Sequence, residues 1–388
     1  MTSQKEFDPA LTRRNWLVLA TTALTGCGGG GGGGPGSISA GLPGTGGTGI
    51  YQGAISGFGS VIVNGVTYDN SQAVMRLNDV VVPQHSLRLG MVATVRADRV
   101  AGAATGTASN IDVWTIAQGL VSDVDAGEGK FKVAGMTILT SAATWFYAAT
   151  ANAPLANGQY VSVWGLQADQ EGERWTASCV LVSALSTEVV SSGLVEVDDG
   201  KRKLNGLKLV GDAASSLADK VLARVQGSLN SDGGLNVVSV KVIDSPLGAH
   251  AQGEVEIEGL VTTAPSASGF MLGRIMVQAT ASMFSPAGAQ IVLGSRVEVY
   301  GTWQGGVLKA TKVELEDAST PGSVEIKAVF QEFQNIGNFV MQGQRCDATG
   351  VALSEKTQAA LFKAGAVFKV KGVKNGDWLK VLELKLSD

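Results

Sequence analysis

The sequence predicts an all-β chain, a tandem array of about five small five-stranded β-barrels, each with a short helix or loop before strand four. Three observations predict it. One register recurs five times, at intervals of roughly 65 to 75 residues, which is the mark of repeated copies of one small domain. It reads Val-x-Val-x-Gly and, about ten to fifteen residues on, Ala-x-x-Val-x-Val. The composition agrees: 52 glycines, 6% aromatic residues and many Val, Thr and Ser favour strands joined by tight turns. Finally, Asn64-Gly65 lies between two apolar runs, and both residues tolerate the positive φ of a type I′ hairpin turn.

The cleanest copies are Val161/Val163/Gly165 with Ala177/Val180/Val182, and Val297/Val299/Gly301 with Ala310/Val313/Leu315. The others are Ala93/Val95/Ala97 with Ala108/Ile111/Val113, Ala223/Val225/Gly227 with Val237/Val240/Val242, and Phe368/Val370/Gly372 with Leu379/Leu382/Leu384. The broken alternation of Ala-x-x-Val-x-Val predicts a β-bulge, which bends the last strand so that a barrel closes.

From the N-terminus, residues 1–26 read as an export signal. Arg13 and Arg14 form a positive n-region, and Trp16 to Leu24 are apolar but too few to span a bilayer. Leu24-Thr25-Gly26-Cys27 resembles the bacterial lipobox, which implies a lipid on Cys27. Thr12 to Leu17 resembles the twin-arginine export motif, with Trp16 where that motif has Phe, so general secretion stays open as the route. Residues 27–49 hold the lipidated cysteine and a glycine-rich tether interrupted by Pro35 and Pro43. Gly28 is not the aspartate of the bacterial inner-membrane retention signal, so the outer membrane, facing the periplasm or cell surface, is the expected address.

The repeats follow at 50–115, 116–184, 190–244, 256–317 and 323–388. Opening strands are read at Gly119-Leu120-Val121, Gly193-Leu194-Val195, Gly259-Leu260-Val261 and Ala328-Val329-Phe330, with linkers at 115–118, 183–192, 244–258 and 316–323. In the fifth repeat the connector reads as a helix, with Ser354 as N-cap, Glu355 in the first turn, Lys363 in the last and Gly365 as the stop. Strand, hairpin, third strand, helix or loop and two closing strands is the order of an OB-like barrel. An SH3-like barrel or an open β-sandwich is the alternative. Units this small bury only about 60% of the surface of the unfolded chain, so they are expected to stiffen one another by packing end to end.

In the first repeat, Gly57-Phe58-Gly59-Ser60-Val61-Ile62-Val63-Asn64-Gly65 resembles the bacterial domain of unknown function 5666. The resemblance spreads more weakly over the other repeats. It implies a small β-barrel and brings no activity, ligand or catalytic residue.

Chemistry is sparse. A net charge of -4 without a basic cluster argues against nucleic acid. His85 and His250 are the two histidines, each in a polar loop, and no nucleophile elbow, zinc motif or Cys-x-x-Cys occurs. No metal or cofactor is expected. The loop Asp123 to Gly129 is acidic but departs from a calcium loop and reads as a hairpin turn.

Cys179 and Cys346 are expected to be free thiols, because a bridge between repeats two and five would require the array to fold back on itself. Cys179 shares its slot with Asn110, Ser239, Lys312 and Val381. Repeat two is rich in aromatics. Alternation places Trp164 outside its barrel, where it and Trp175 are candidate contacts for a ligand or partner, or packing between repeats two and three.

The functional expectation is an envelope-anchored, non-enzymatic lipoprotein used for interaction or scaffolding, with the membrane as one partner and a protein as another. The alternative is a periplasmic or surface binding protein for a glycan or other small ligand, using an open barrel face. An enzyme lacks a polar cluster to support it.

Overall fold

The computed structural model describes residues 48–148, 150, 153–243, 253–316 and 322–387. The export signal with Arg13 and Arg14, the lipidation residue Cys27, the tether to residue 47 and His250 lie outside the described residues.

Module 1 has its strands at Thr48–Phe58, Val61–Val63, Val66–Asp69, Val92–Asp98 and Thr105–Val113. The first pairs antiparallel with the second and the fourth, the third runs parallel to the fifth, and the fourth pairs with the fifth. That ring order, first-second-third-fifth-fourth, is the OB arrangement. Module 2 repeats it with Ala117–Asp125, Lys130–Val133, Met136–Leu139, Tyr160–Gln167 and Arg174–Ser183. Module 3 does so with Glu188–Asp198, Lys201–Leu204, Leu207–Val210, Leu222–Leu229 and Leu235–Val242.

Module 4 uses Glu254–Leu260, Phe270–Leu272, Ile275–Gln278, Arg296–Gln304 and Val307–Leu315, and the bridge Val261–Leu272 links its first two strands. Module 5 splits its opening strand into Val324–Val329 and Glu332–Asn335; Asn338–Met341, Gln344–Asp347, Val367–Asn375 and Trp378–Leu386 complete it.

The expected bulge is present in all five modules. The fifth strand skips Ser109, Ser178, Val238, Thr311 and Leu382 in turn, each beside the last residue of the Val-x-Val-x-Gly signature. The signature glycine has a steric cause there. A Cβ on Gly165, Gly227, Gly301 or Gly372 would come within 2.3 Å of a carbonyl oxygen of the partner strand. At the hairpin, Asn64 and Gly65 adopt φ of 52° and 70°, as a type I′ turn requires.

The register corrects the reading of module 5. Gly372 pairs with Val381 and Lys371 with Glu383, so Val381, Leu384 and Leu386 match the apolar positions of the other copies. Leu382 is the bulge residue and is 64% exposed, and the counterpart of Cys179 is Glu383, not Val381. A bulge adds one residue to one strand, so counting by apolar matches alone slipped by two. The helix of module 5 begins as expected, with Ser354 Oγ accepting from the Thr357 amide, but it spans only Glu355–Ala360. The linkers are also shorter than expected, because Glu188–Ser192 and Glu254–Glu258 already pair with the fourth strands of their barrels.

The expected end-to-end packing is not what the structure shows, since the chain from Gly44 onward forms one compact unit. The first strand of module 1 is the hub. Beyond its own barrel it pairs in parallel with module 4, Ile50 to Gln52 against Val255 to Ile257. It also pairs in parallel with module 5, Gly57 and Phe58 against Glu325 and Ile326. Apolar side chains of modules 1 and 5 form one continuous core, which takes in Trp145, Tyr147, Trp164 and Cys179 of module 2. Modules 2, 3 and 4 have cores of their own.

Absent side chains make room for the docking of module 5. A Cβ on Gly57 would lie 2.5 Å from the Glu325 carbonyl oxygen, and one on Gly59 would lie 2.4 Å from Lys327 Cβ. Gly57→Leu is therefore expected to unseat module 5. Limited proteolysis should then release a fragment beginning near residue 322 while module 1 stays protected; a cleavage pattern identical to wild type would contradict this.

Candidate functional site

A cleft of about 1010 Å³ lies where modules 1, 2, 4 and 5 meet. Module 1 contributes Ala54, Ile55 and Asn64, module 2 contributes Trp145, Asp169 and Arg174, and module 5 contributes Val324 and Lys374. Module 4 supplies Glu258, Arg296, Glu298, Glu314 and Glu316. The bulged, twisted barrels cannot pack flush, and the space left between four of them is the cleft.

The wall from module 4 has an unusual charge pattern. Glu258 lies opposite Glu298, and Glu298 lies opposite Glu314, across three adjacent antiparallel strands. Like charges directly opposite each other destabilise a sheet. Arg296 ion-pairs with Glu258 and Lys312 with Glu314, which leaves the central Glu298 without a cation among the described residues. Glu298 is only 7% exposed, and burial together with the neighbouring Glu256 carboxyl pushes its own carboxyl up to about 10. Burial and the neighbouring Glu258 also raise Glu316.

Behind this wall is the seam with module 1. Arg99 ion-pairs with the fully buried Glu256, and its guanidinium lies 5.1 Å from the centre of the Tyr51 ring. Burial alone would lower the Arg99 pKa, but the hydrogen bond and charge of Glu256 outweigh it and the net shift is upward. Burial raises Tyr51 to about 12 and Tyr68 further. On the cleft side, Glu258 Oε2 accepts from the Ala54 amide at 2.9 Å, so the acidic wall also joins the two modules.

The sequence-predicted contacts sit elsewhere. Alternation does direct Trp164 away from the core of its own barrel, but the surface there is covered, and Trp164 is 2% exposed within the core shared with modules 1 and 5. The expectation of an exposed indole is corrected, and so is its neighbour: the packing is within the core formed by modules 1 and 5, not against module 3. Trp175 is half-buried against the core of module 2, and its Nε1 donates to the Gly172 carbonyl at 2.9 Å. Neither tryptophan lines the cleft.

Cys179 and Cys346 are free and buried in the same core. The array does fold back, so the geometric reason given for free thiols does not hold. Burial raises both, Cys346 to about 12 and Cys179 further. The acidic loop forms a turn in which Asp125 Oδ1 accepts from the Gly127 and Glu128 amides, and Asp123 and Glu128 pair with Lys132 and Lys130.

The carboxylates of the wall were missed for an identifiable reason. Glu254-Val255-Glu256-Ile257-Glu258 alternates as a strand with its acids on one face, but the Gly and Pro residues before it made it read as linker. Nothing in the sequence says that this outer face is covered.

Residues 118–180 and 258–314 match the model of the domain of unknown function DUF5666. These stretches fall in modules 2 and 4, and the Gly57 to Gly65 stretch that carries the resemblance in module 1 lies outside both. These two matches are consistent with tandem copies of this domain. A comparison with curated proteins returns no match.

Removing the Trp164 side chain should cost about 3 to 5 kcal/mol, as for other buried large-to-small changes. In Trp164→Ala we expect a lower thermal midpoint, with Cys179 open to a thiol reagent before global unfolding. In the wild type both thiols should react only on denaturation. An unchanged midpoint, or prompt labelling of the native wild type, would contradict this placement.

Proposed function

We propose that this chain, built on DUF5666 modules, is a non-enzymatic lipoprotein of the bacterial envelope that acts by interaction. Arg13 and Arg14 head its export signal, Cys27 carries its lipid, and the outer membrane, facing the periplasm or cell surface, is its address. One observation carries the interaction reading: the modules are fixed as one body around a cleft with walls from four of them. A body of this kind presents a defined surface to a partner.

The same cleft favours a second reading, a binding protein for a glycan or other small ligand. Its volume lies at the upper end of the range of about 300–1,000 Å³ typical of small-molecule sites. A protein partner would use the outer surface, whereas a small ligand would use the cleft.

Two measurements test these readings. The wild type should partition with membranes, while Cys27→Ser should stay unprocessed or be released; equal recovery of both in the soluble fraction would remove the anchor. A screen of the mature protein against soluble glycans and envelope proteins separates the two modes of interaction. A small ligand at 100 times its Kd should stabilise the fold by about 2.7 kcal/mol, and Arg174→Ala with Lys374→Ala should abolish that gain. Capture of one defined envelope protein, unaffected by the same substitutions, supports the scaffold.

A further inference from the structure

The seam between modules 1 and 4 holds two carboxyl oxygens that no donor among the described residues satisfies. Glu256 and Glu298 are diagonal neighbours on adjacent strands, since Glu256 pairs with Tyr300 and Glu258 with Glu298. The Oε1 atoms of both are buried, and neither meets an N–H or O–H donor among the described residues. Glu256 uses Oε2 for Arg99.

The surrounding charges offer no substitute for a donor. From module 1, Arg99, Tyr51 and Tyr68 face Glu256, and Arg99 is its one ion-pair partner among the described residues. From module 4, Tyr300 lies two residues from Glu298 on the same strand and acts to lower its pKa, and the remaining neighbours Glu258, Glu314 and Glu316 are acids. Arg296 and Lys312 are engaged with Glu258 and Glu314. Two ionised carboxylates placed so would repel each other without water to screen them, whereas one proton between them makes a hydrogen bond.

We infer that a single proton shared by Glu256 and Glu298 within module 4 acts as a clasp that keeps module 1 closed over them, and that its loss, which leaves two like charges beneath the seam that only water can solvate, parts this seam and widens the central cleft. The clasp forms part of the cleft wall, because Glu298 lines the cleft and Glu258, from the strand that carries Glu256, holds the Ala54 amide across it. The device goes beyond the proposed interaction role and can be tested without any ligand.

The direction with pH follows from the raised carboxyl. A released glutamate ionises near the ordinary value of about 4.3, while the clasped Glu298 keeps its proton up to about 10. The contribution of the clasp is complete below the lower value. It falls by up to tenfold in the closed-to-open ratio for each pH unit across the window, and is gone above the upper one.

Hydrogen–deuterium exchange on the full mature chain, corrected for intrinsic exchange, tests this. In the wild type, protection of residues 48–54 and 254–260 should fall steadily as pH rises from about 6 to 10, while residues 222–229 of module 3, away from the seam, serve as control. Glu298→Gln, whose amide donates permanently to Glu256, should flatten the seam profile. Equal slopes in the two proteins, or a flat wild type, would overturn the inference. A second readout does not depend on the variant folding. The wild type should show the infrared band of a protonated carboxyl at about pH 8, and its absence would overturn the inference as well.

Discussion

The whole arrangement depends on one strand having hydrogen-bonding edges and clear space to spare. Thr48–Phe58 serves its own barrel on both sides, yet its two ends also accept parallel strands from modules 4 and 5. Parallel addition needs backbone groups that the first barrel does not use and side chains that do not intrude. Gly49, Gly57 and Gly59 provide the clearance, since a Cβ at any of them would lie within 3 Å of an atom of the docked module. With both ends occupied, two otherwise exposed strand edges are covered.

The seams built on this strand differ in chemistry. Module 5 is joined to module 1 by a continuous apolar core, reinforced by Gln342 donating to the Gln84 carbonyl at 2.7 Å. Module 4 is joined through buried charge, Arg99 with Glu256. Such a pair is weak evidence for net stability, because desolvation offsets much of the attraction, but it penalises any other register strongly. Module 3 is joined elsewhere, to module 2 by the pairing of Val190 with Gln118 and by Ser191 Oγ donating to the Ala134 carbonyl, with Arg224 and Lys241 over the Trp114 ring. Differences of this kind allow one seam to respond to pH while its neighbours do not.

Within a module, the sequence was readable because the determinants are local. Alternation, Asn64-Gly65 and the broken period of Ala-x-x-Val-x-Val each report on neighbouring residues, and they yielded the OB order and the bulge. The skipped count at Leu382 shows the limit of matching apolar letters when a strand carries an extra residue. Between modules the reading failed, because the outward face of a barrel looks the same whether water or another barrel covers it. Trp164 was assigned to the correct face and the wrong environment, and Glu256 passed as a linker residue. The candidate cleft was illegible for the same reason, since no single repeat contains it.

Small-angle scattering of the soluble mature chain tests the central claim, that the modules close on the first strand as one body, most directly. Residues 44–388 folded as a single compact unit should give a radius of gyration of about 20 Å. Barrels of this size strung end to end would give a value above about 35 Å, and that result would contradict the account.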